Sequence, residues 1–274
     1  MKRLIIAVMA LAVISQPSEA FGFKWKSVPV KASMTGVTAP TATNAATAIG
    51  TFDGKTYVAP NGRRFKKKTS TAQAAALMLE AQPAMADLKE VVGYCPKGMK
   101  RTRPENVLGD WMVDILMEAT EKEVGQKVDI GITNHGGIRI DMPDGEILKD
   151  DLLSMFPFKN YLCYLTMTGE NVIKLFEDMA DHMQVFGGAK VTLKDGKIVE
   201  LLVGGEPVDP AKLYGIASID FLLNGGDDIF VARNSDSLIQ TEVLIYDAVL
   251  EYVTRITAEG GMIEKEPDNR IVVL

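Results

Sequence analysis

Three short stretches carry residue types suited to chemistry on a small ligand. The first is Asn134-His135-Gly136-Gly137-Ile138-Arg139. Paired glycines let backbone N–H groups approach a ligand. Asparagine offers a donor and an acceptor to a base edge, and arginine offers a planar fork to phosphate or carboxylate. The second stretch runs from Phe221 to Asp227, with Gly225-Gly226 before the aspartate. The Asp227 carboxylate is suited to accept from two vicinal ribose hydroxyls, and Phe221 brings a flat ring. The third, Phe156-Pro157-Phe158-Lys159-Asn160, brings another ring. Two rings face to face would hold a purine or pyrimidine, with about 1–3 kcal/mol of stacking per base. Each stretch also has a plainer reading. Gly-Gly after a strand is commonly a turn, a phenylalanine beside Leu222 and Leu223 is commonly core, and a lone loop arginine is commonly solvated. Spacing alone does not bring the three together.

The elements that must position these loops follow from apolar periodicity. Val107, Leu108, Trp111, Met112, Ile115, Leu116 and Ala119 recur at helical spacing, and Gly125 can close that helix. Residues 128–133 form a short apolar strand running into the first loop. Residues 161–168 form a second strand, followed by an amphipathic helix over 169–183. Residues 189–203 read as a hairpin turned at Lys194-Asp195-Gly196-Lys197. A strand over 213–218 leads into the second loop. A helix over 243–256 and a strand over 270–274 complete the chain. Upstream, residues 51–68 resemble a hairpin with Asn61-Gly62 as turn chemistry, and 71–92 read as a helix interrupted at Pro83. The cluster of Arg63, Arg64, Lys66, Lys67 and Lys68 reads as a solvated hairpin edge, where lysine discourages strand pairing between molecules. Helices, strands and hairpins are mixed, which places the chain in the α+β class with a mixed sheet.

The 274 residues are 47% hydrophobic and 24% charged, which excludes wholesale disorder, a collagen-like chain and a polytopic membrane protein. The net charge of −6 argues against a nucleic acid polymer as partner. Lys2 and Arg3, an apolar run over 4–14 and small residues at Ser18 and Ala20 together read as a secretory signal cleaved after Ala20. The chain is therefore expected to be exported, periplasmic or extracellular. Residues 21–50, rich in Ala, Thr, Val and Ser from 24 onward, read as an extended leader. Cys95 and Cys163 have no C-x-x-C context, which argues against zinc and redox roles. An exported chain allows one disulfide between them, but nothing in the spacing brings them together, and two separate buried thiols are the slightly favoured expectation.

The motifs G-I-T-N-H-G-G-I-R, F-P-F-K-N and D-F-L-L-N-G-G-D, in this order and separation, resemble the C-terminal domain of the 5′-nucleotidases. The upstream E-N-V-L-G-D-W-M-V-D-I is similar to the helix start of that family. The resemblance covers about residues 90–274, with 51–89 as a hairpin and helix before the domain. It implies a four-layer α-β-β-α architecture with mixed sheets that binds the nucleoside part of a nucleotide. It further implies that Phe158 and Phe221 clamp the base, that Asn134 contacts it, that Arg139 meets the phosphate side and that Asp227 holds the ribose hydroxyls. The family carries a second arginine where Pro104 stands, which leaves Arg101 and Arg103 as candidates for that phosphate contact. Asp110 stands where the family has asparagine, and His135 where small residues are common.

The metal-ligand motifs of the family's N-terminal phosphatase domain have no counterpart in residues 21–89, which hold no histidine and only Asp53 and Asp87 as aspartates. A dimetal hydrolase needs a fixed array of Asp, His and Asn ligands. The expectation is thus a substrate-recognition chain that binds no cofactor itself and has no catalytic residue of its own. It would serve a separate metallophosphatase chain carrying the divalent metal. The alternatives are a stand-alone nucleotide-binding protein, or a hydrolase with an atypical mechanism in which His135 is general acid or base.

Overall fold

Residues 34–40 and 44–274 are described in the computed structural model. The signal over 1–20 and the leader up to residue 33 lie outside the described residues. The chain divides into two units, with the boundary inside a helix between residues 76 and 77.

In the first unit, α1 (Ala45–Ile49) precedes a three-stranded antiparallel meander of β1 (Thr51–Asp53), β2 (Thr56–Val58) and β3 (Arg64–Lys66), and α2 (Ser70–Ala81) follows. The extended leader expected to reach residue 50 instead ends in α1, because Ala48 and Ile49 have an apolar place to go and are buried. Two turns link the three strands. Gly54 and Gly62 take positive φ at them, which side chains disfavour. Phe52 and Phe65 flank the fully buried Tyr57 with ring centroids 5.5 and 5.9 Å away. The basic cluster lies on the exposed β3 edge, where Arg64 pairs with Asp53 at 2.8 Å. The helix read over 71–92 stops at Ala81. Pro83 opens a 3-10 turn, Pro83–Lys89, and Val91–Cys95 becomes strand β4. Proline supplies no N–H to continue the helix, and the β-branched Val91 and Val92 suit a strand.

The second unit continues with α3 (Val107–Val124), β5 (Ile130–Thr133), β6 (Gly145–Leu148), α4 (Lys149–Met155), β7 (Tyr161–Thr168) and α5 (Gly169–Asp178). Then come β8 (Val185–Gly187), β9 (Ala189–Lys194), β10 (Lys197–Val203), β11 (Glu206–Pro207), β12 (Leu213–Ile219), β13 (Ser237–Leu244), α6 (Ile245–Ala258) and β14 (Ile271–Val273). Asn106 starts α3 by accepting from the Gly109 amide, and Gly125 ends it in the left-handed region. A five-stranded mixed sheet has the order β13-β7-β12-β5-β8, and a four-stranded mixed sheet the order β11-β10-β9-β14. Side chains alternate across a strand. On β8, therefore, a side chain at Gly187 would meet Met117 and Val113 of α3, while the neighbouring Phe186 packs edge-on to Phe176 of α5. Helices thus cover both faces of the five-stranded sheet, and α5 also touches β10 of the second sheet. Both cysteines are buried free thiols.

Strand register decides where the three loops go. β5 and β12 are parallel, with Ala217 opposite Gly131, so both finish at the same sheet edge. β7 is antiparallel to β12, with Leu162 opposite Ile219, so it begins at that edge. The loops after β5, after β12 and before β7 therefore emerge side by side, at the carboxyl ends where open sheets commonly bind ligands.

Candidate functional site

The three loops enclose an open cavity of about 190 Å3, lined by Asn134, Gly136, Gly137, Arg139, Phe158, Asn160, Phe221 and Asp227. All five residues that the family resemblance places around the nucleoside are in this lining. Phe158 and Phe221 are each 47% exposed, unusual for rings that a core could take. Phe156, two residues before Phe158, is buried, so the Phe-Pro-Phe run sends one ring to the core and one to the cavity. Gly226 makes room for Phe221: a Cβ there would lie 2.6 Å from the ring. Asp227 adopts φ of 49°, a left-handed conformation that aspartate tolerates better than most residues.

Asn134 and Asp227 come from different loops and meet directly, Nδ2 donating to Oδ2 at 2.7 Å. Asn134 is 3% exposed, and its Oδ1 has no hydrogen-bond partner. Gly136 permits the meeting, since a Cβ there would sit 2.9 Å from Asp227 Oδ2. Arg139 is exposed, donates to the Gly136 carbonyl at 3.1 Å and lies 5.7 Å from the Phe158 ring centroid.

Arg101 and Arg103 do not line the cavity. Arg101 bonds Asp141 at 2.9 Å and the carbonyls of Ile138 and Arg139 at 3.2 and 2.7 Å, so its guanidinium braces the glycine loop. Arg103 is exposed on the segment before α3. His135 does not line the cavity either, because its ring is turned behind the loop towards Asn106. Asn160 lines the cavity without having been singled out as a ligand contact. The available signal was its position at the end of the aromatic loop, immediately before β7.

Behind the loop is a charged cluster that sequence reading missed. Arg270, 8% exposed, bonds Asp114 through both carboxylate oxygens at 2.8 Å, Asp268 at 2.8 Å and the Phe186 carbonyl at 2.9 Å. The signal was an arginine opening an otherwise apolar terminal strand. Glu105, Asp110 and Asp268 are close enough together to suggest a cation site, but Arg270, beside Asp110 and Asp268, and Lys265, beside Asp268, already place two positive groups among these carboxylates. The donor set does not fit a dimetal hydrolytic centre, which needs histidine and open positions. Burial, with Glu105 and Asp268 nearby, pushes the Asp110 carboxyl up to about 7 against the opposing pull of Arg270. An acid whose folded pKa is raised subtracts stability above that pKa, and the cost vanishes below its unfolded value near 4. Asp110→Asn is therefore expected to be more stable than wild type by about 1–2 kcal/mol at pH 8. The gap should close as pH falls from about 7 towards 4, as thermal melts at several pH values would register. A pH-independent gap would show that Asp110 is ionised throughout.

The family model described as 5′-nucleotidase, C-terminal domain, matches residues 86–233, and the chain belongs to that family. Protein UshA of Escherichia coli K12 is 31% identical over 134 residues, covering 46% of this chain and 24% of that protein. The 5′-nucleotidase of Vibrio vulnificus is 30% identical over 108 residues, covering 37% of this chain and 19% of that one. The crystal structure of the 5′-nucleotidase precursor from Thermus thermophilus shares the fold with a TM-score of 0.64 at 23% identity, covering 74% of this chain and 43% of that one. The chain thus spans about a quarter or less of the length of these sequence relatives. Among the described residues, no helix is long and apolar enough to cross a membrane.

Proposed function

We propose that the cavity binds the nucleoside part of a nucleoside monophosphate, and that the chain is the exported substrate-recognition part of a 5′-nucleotidase-type phosphohydrolase. In this reading Phe158 and Phe221 stack on the two faces of the base. Asp227 accepts from the ribose hydroxyls, Asn134 and Asn160 offer amides to the base edge or sugar, and Arg139 meets the phosphate. Hydrolysis belongs to a separate metallophosphatase chain carrying a divalent metal. The periplasm or the cell exterior is the setting that the N-terminal signal pattern suggests. One observation carries the reading: two half-exposed aromatic rings and an asparagine-braced carboxylate, from three separate loops, line one cavity.

The test is titration calorimetry with adenosine and AMP. Phe221→Ala is expected to weaken adenosine binding by about 1–3 kcal/mol, the usual contribution of one stacked ring. Unchanged affinity would remove Phe221 from the site. Failure of the wild-type chain to bind either compound would end the nucleoside reading. AMP turnover that appears only on adding a metallophosphatase would support the two-chain arrangement. Turnover by the purified chain alone, surviving chelation, would overturn it.

A further inference from the structure

The glycine loop is anchored on the side facing away from the cavity. His135 Nδ1 lies 3.3 Å from Asn106 Nδ2. Asn106 is buried, and its Oδ1 accepts the Gly109 amide in the first turn of α3. With that oxygen committed, the Asn106 amide must present its NH2 to the ring. The ring then accepts through Nδ1 and carries its proton on Nε2, an assignment made from the Asn106 contact alone, since the buried Nε2 makes no hydrogen bond of its own. The His135 backbone N–H donates to the buried Gln184 Oε1 at 3.0 Å. These contacts fix the loop one residue from Asn134 on one side and Gly136 on the other. Gly136 packs so closely that it has no room for a Cβ beside Asp227 Oδ2. Displacement of His135 would therefore move both halves of the Asn134–Asp227 bond's setting.

We infer that His135 is a positioning residue for the cavity: its neutral imidazole, seated on Asn106, holds the glycine loop in the form in which Asn134 and Asp227 receive the nucleoside. The inference rests on the nucleoside reading of the cavity. The charged groups facing the ring are Arg103 and Glu105 from the segment before α3, Asp110 from its first turn and Arg270 ahead of β14. Burial and the Arg103 charge outweigh the nearby Met183 and Pro104 backbone carbonyls and push the imidazole down to about 4, so it is neutral at neutral pH. Protonation would set two donors against each other at Asn106. The loop would then be released in acid, while Asp110, gaining its proton first near pH 7, would no longer offer a counter-charge.

Adenosine affinity measured by calorimetry between about pH 4 and 8 separates positioning from bulk structure. His135→Ala is expected to bind about tenfold more weakly at pH 7, the loss of roughly one buried hydrogen bond. His135→Asn keeps an acceptor near the Nδ1 position and should stay within about threefold of wild type. Wild type should lose affinity below about pH 5, whereas His135→Asn should not share that loss. Equal affinity of His135→Ala and wild type, or the same acid loss in His135→Asn, overturns the inference. If wild type binds no adenosine, the nucleoside reading has failed, and the anchoring is read from amide hydrogen exchange. The Gly137 and Ile138 amides, which donate to Asn134 and His135 carbonyls, should then exchange at least about tenfold faster in His135→Ala. Unchanged exchange there would sink the positioning role.

Discussion

Replacing Arg270 with methionine is expected to destabilise the second unit by about 2–4 kcal/mol, seen as a lower urea midpoint with an unchanged slope. Methionine fills similar volume, so the loss measures the guanidinium. Without it, Asp114 and Asp268 are left with Lys265 as their one shared cation, and the Phe186 carbonyl loses its donor. Removing one side of a fully buried ion pair costs about 3–5 kcal/mol. The expectation is set lower because Asp114 and Asp268 are about two-fifths exposed and can rehydrate. Strand register should survive, since the backbone amides of Arg270 and Ile271 hold the Glu105 carboxylate independently of the guanidinium. Lysine should rescue poorly, because a point-charge ammonium does not reproduce the planar fork that takes both oxygens of Asp114 while also reaching Asp268 and the Phe186 carbonyl. Full stability in the lysine variant would show that charge alone suffices, and a loss below about 1 kcal/mol would show that water replaces the arginine.

Elements with a strong local period were readable from sequence. α3 carries apolar residues at helical spacing between an asparagine cap and a left-handed glycine. The β9–β10 hairpin announces itself through Asp195-Gly196, both at positive φ. β7 and β12 show as apolar runs because both faces of their sheet are covered. β13 was not legible for the opposite reason. It is an edge strand, largely exposed, so its Ser-Leu-Ile-Gln-Thr-Glu sequence has no core side to impose alternation. β4 was absorbed into the preceding helix because its identity comes from pairing with β6, about fifty residues later. Tertiary pairing overrides a local signal that short strands cannot supply.

The candidate site divides along the same line. Residue types in the three loops were legible, because glycine pairs, exposed-loop phenylalanines and an aspartate after Gly-Gly are local features. Their convergence was not, because it depends on β5, β7 and β12 sharing one edge in one register. The fate of the nearby arginines was also hidden. Arg101 is drawn into bracing by Asp141, forty residues away, and Arg270 is drawn under the loop by Asp114, more than a hundred and fifty residues away. A charge pattern in sequence shows which groups exist; the partner that claims each one is set by tertiary contact.

Asp227→Ala is expected to weaken adenosine binding by about 2–3 kcal/mol, roughly 30- to 150-fold. Two effects add. The ligand loses a carboxylate acceptor, and charge-assisted hydrogen bonds contribute about 1.5–3 kcal/mol even after solvent competition. Asn134 Nδ2, nearly out of contact with water, also loses its partner. Alanine in the left-handed backbone of residue 227 adds strain of about 1–2 kcal/mol. Asp227→Asn, which tolerates that conformation, separates strain from chemistry by keeping the backbone while removing the charge. Because Asn134 and Asp227 share a bond, the double variant Asn134→Ala with Asp227→Ala should lose less than the sum of the singles, by at least about 0.5 kcal/mol. Strict additivity would mean the bond does not shape the ligand-bound site. The decisive arm is 2′-deoxyadenosine. Wild type should bind it more weakly than adenosine, since a ribose hydroxyl is missing, and Asp227→Ala should bind the two alike. If the variant still prefers adenosine, some other group grips the sugar and Asp227 serves only the loop.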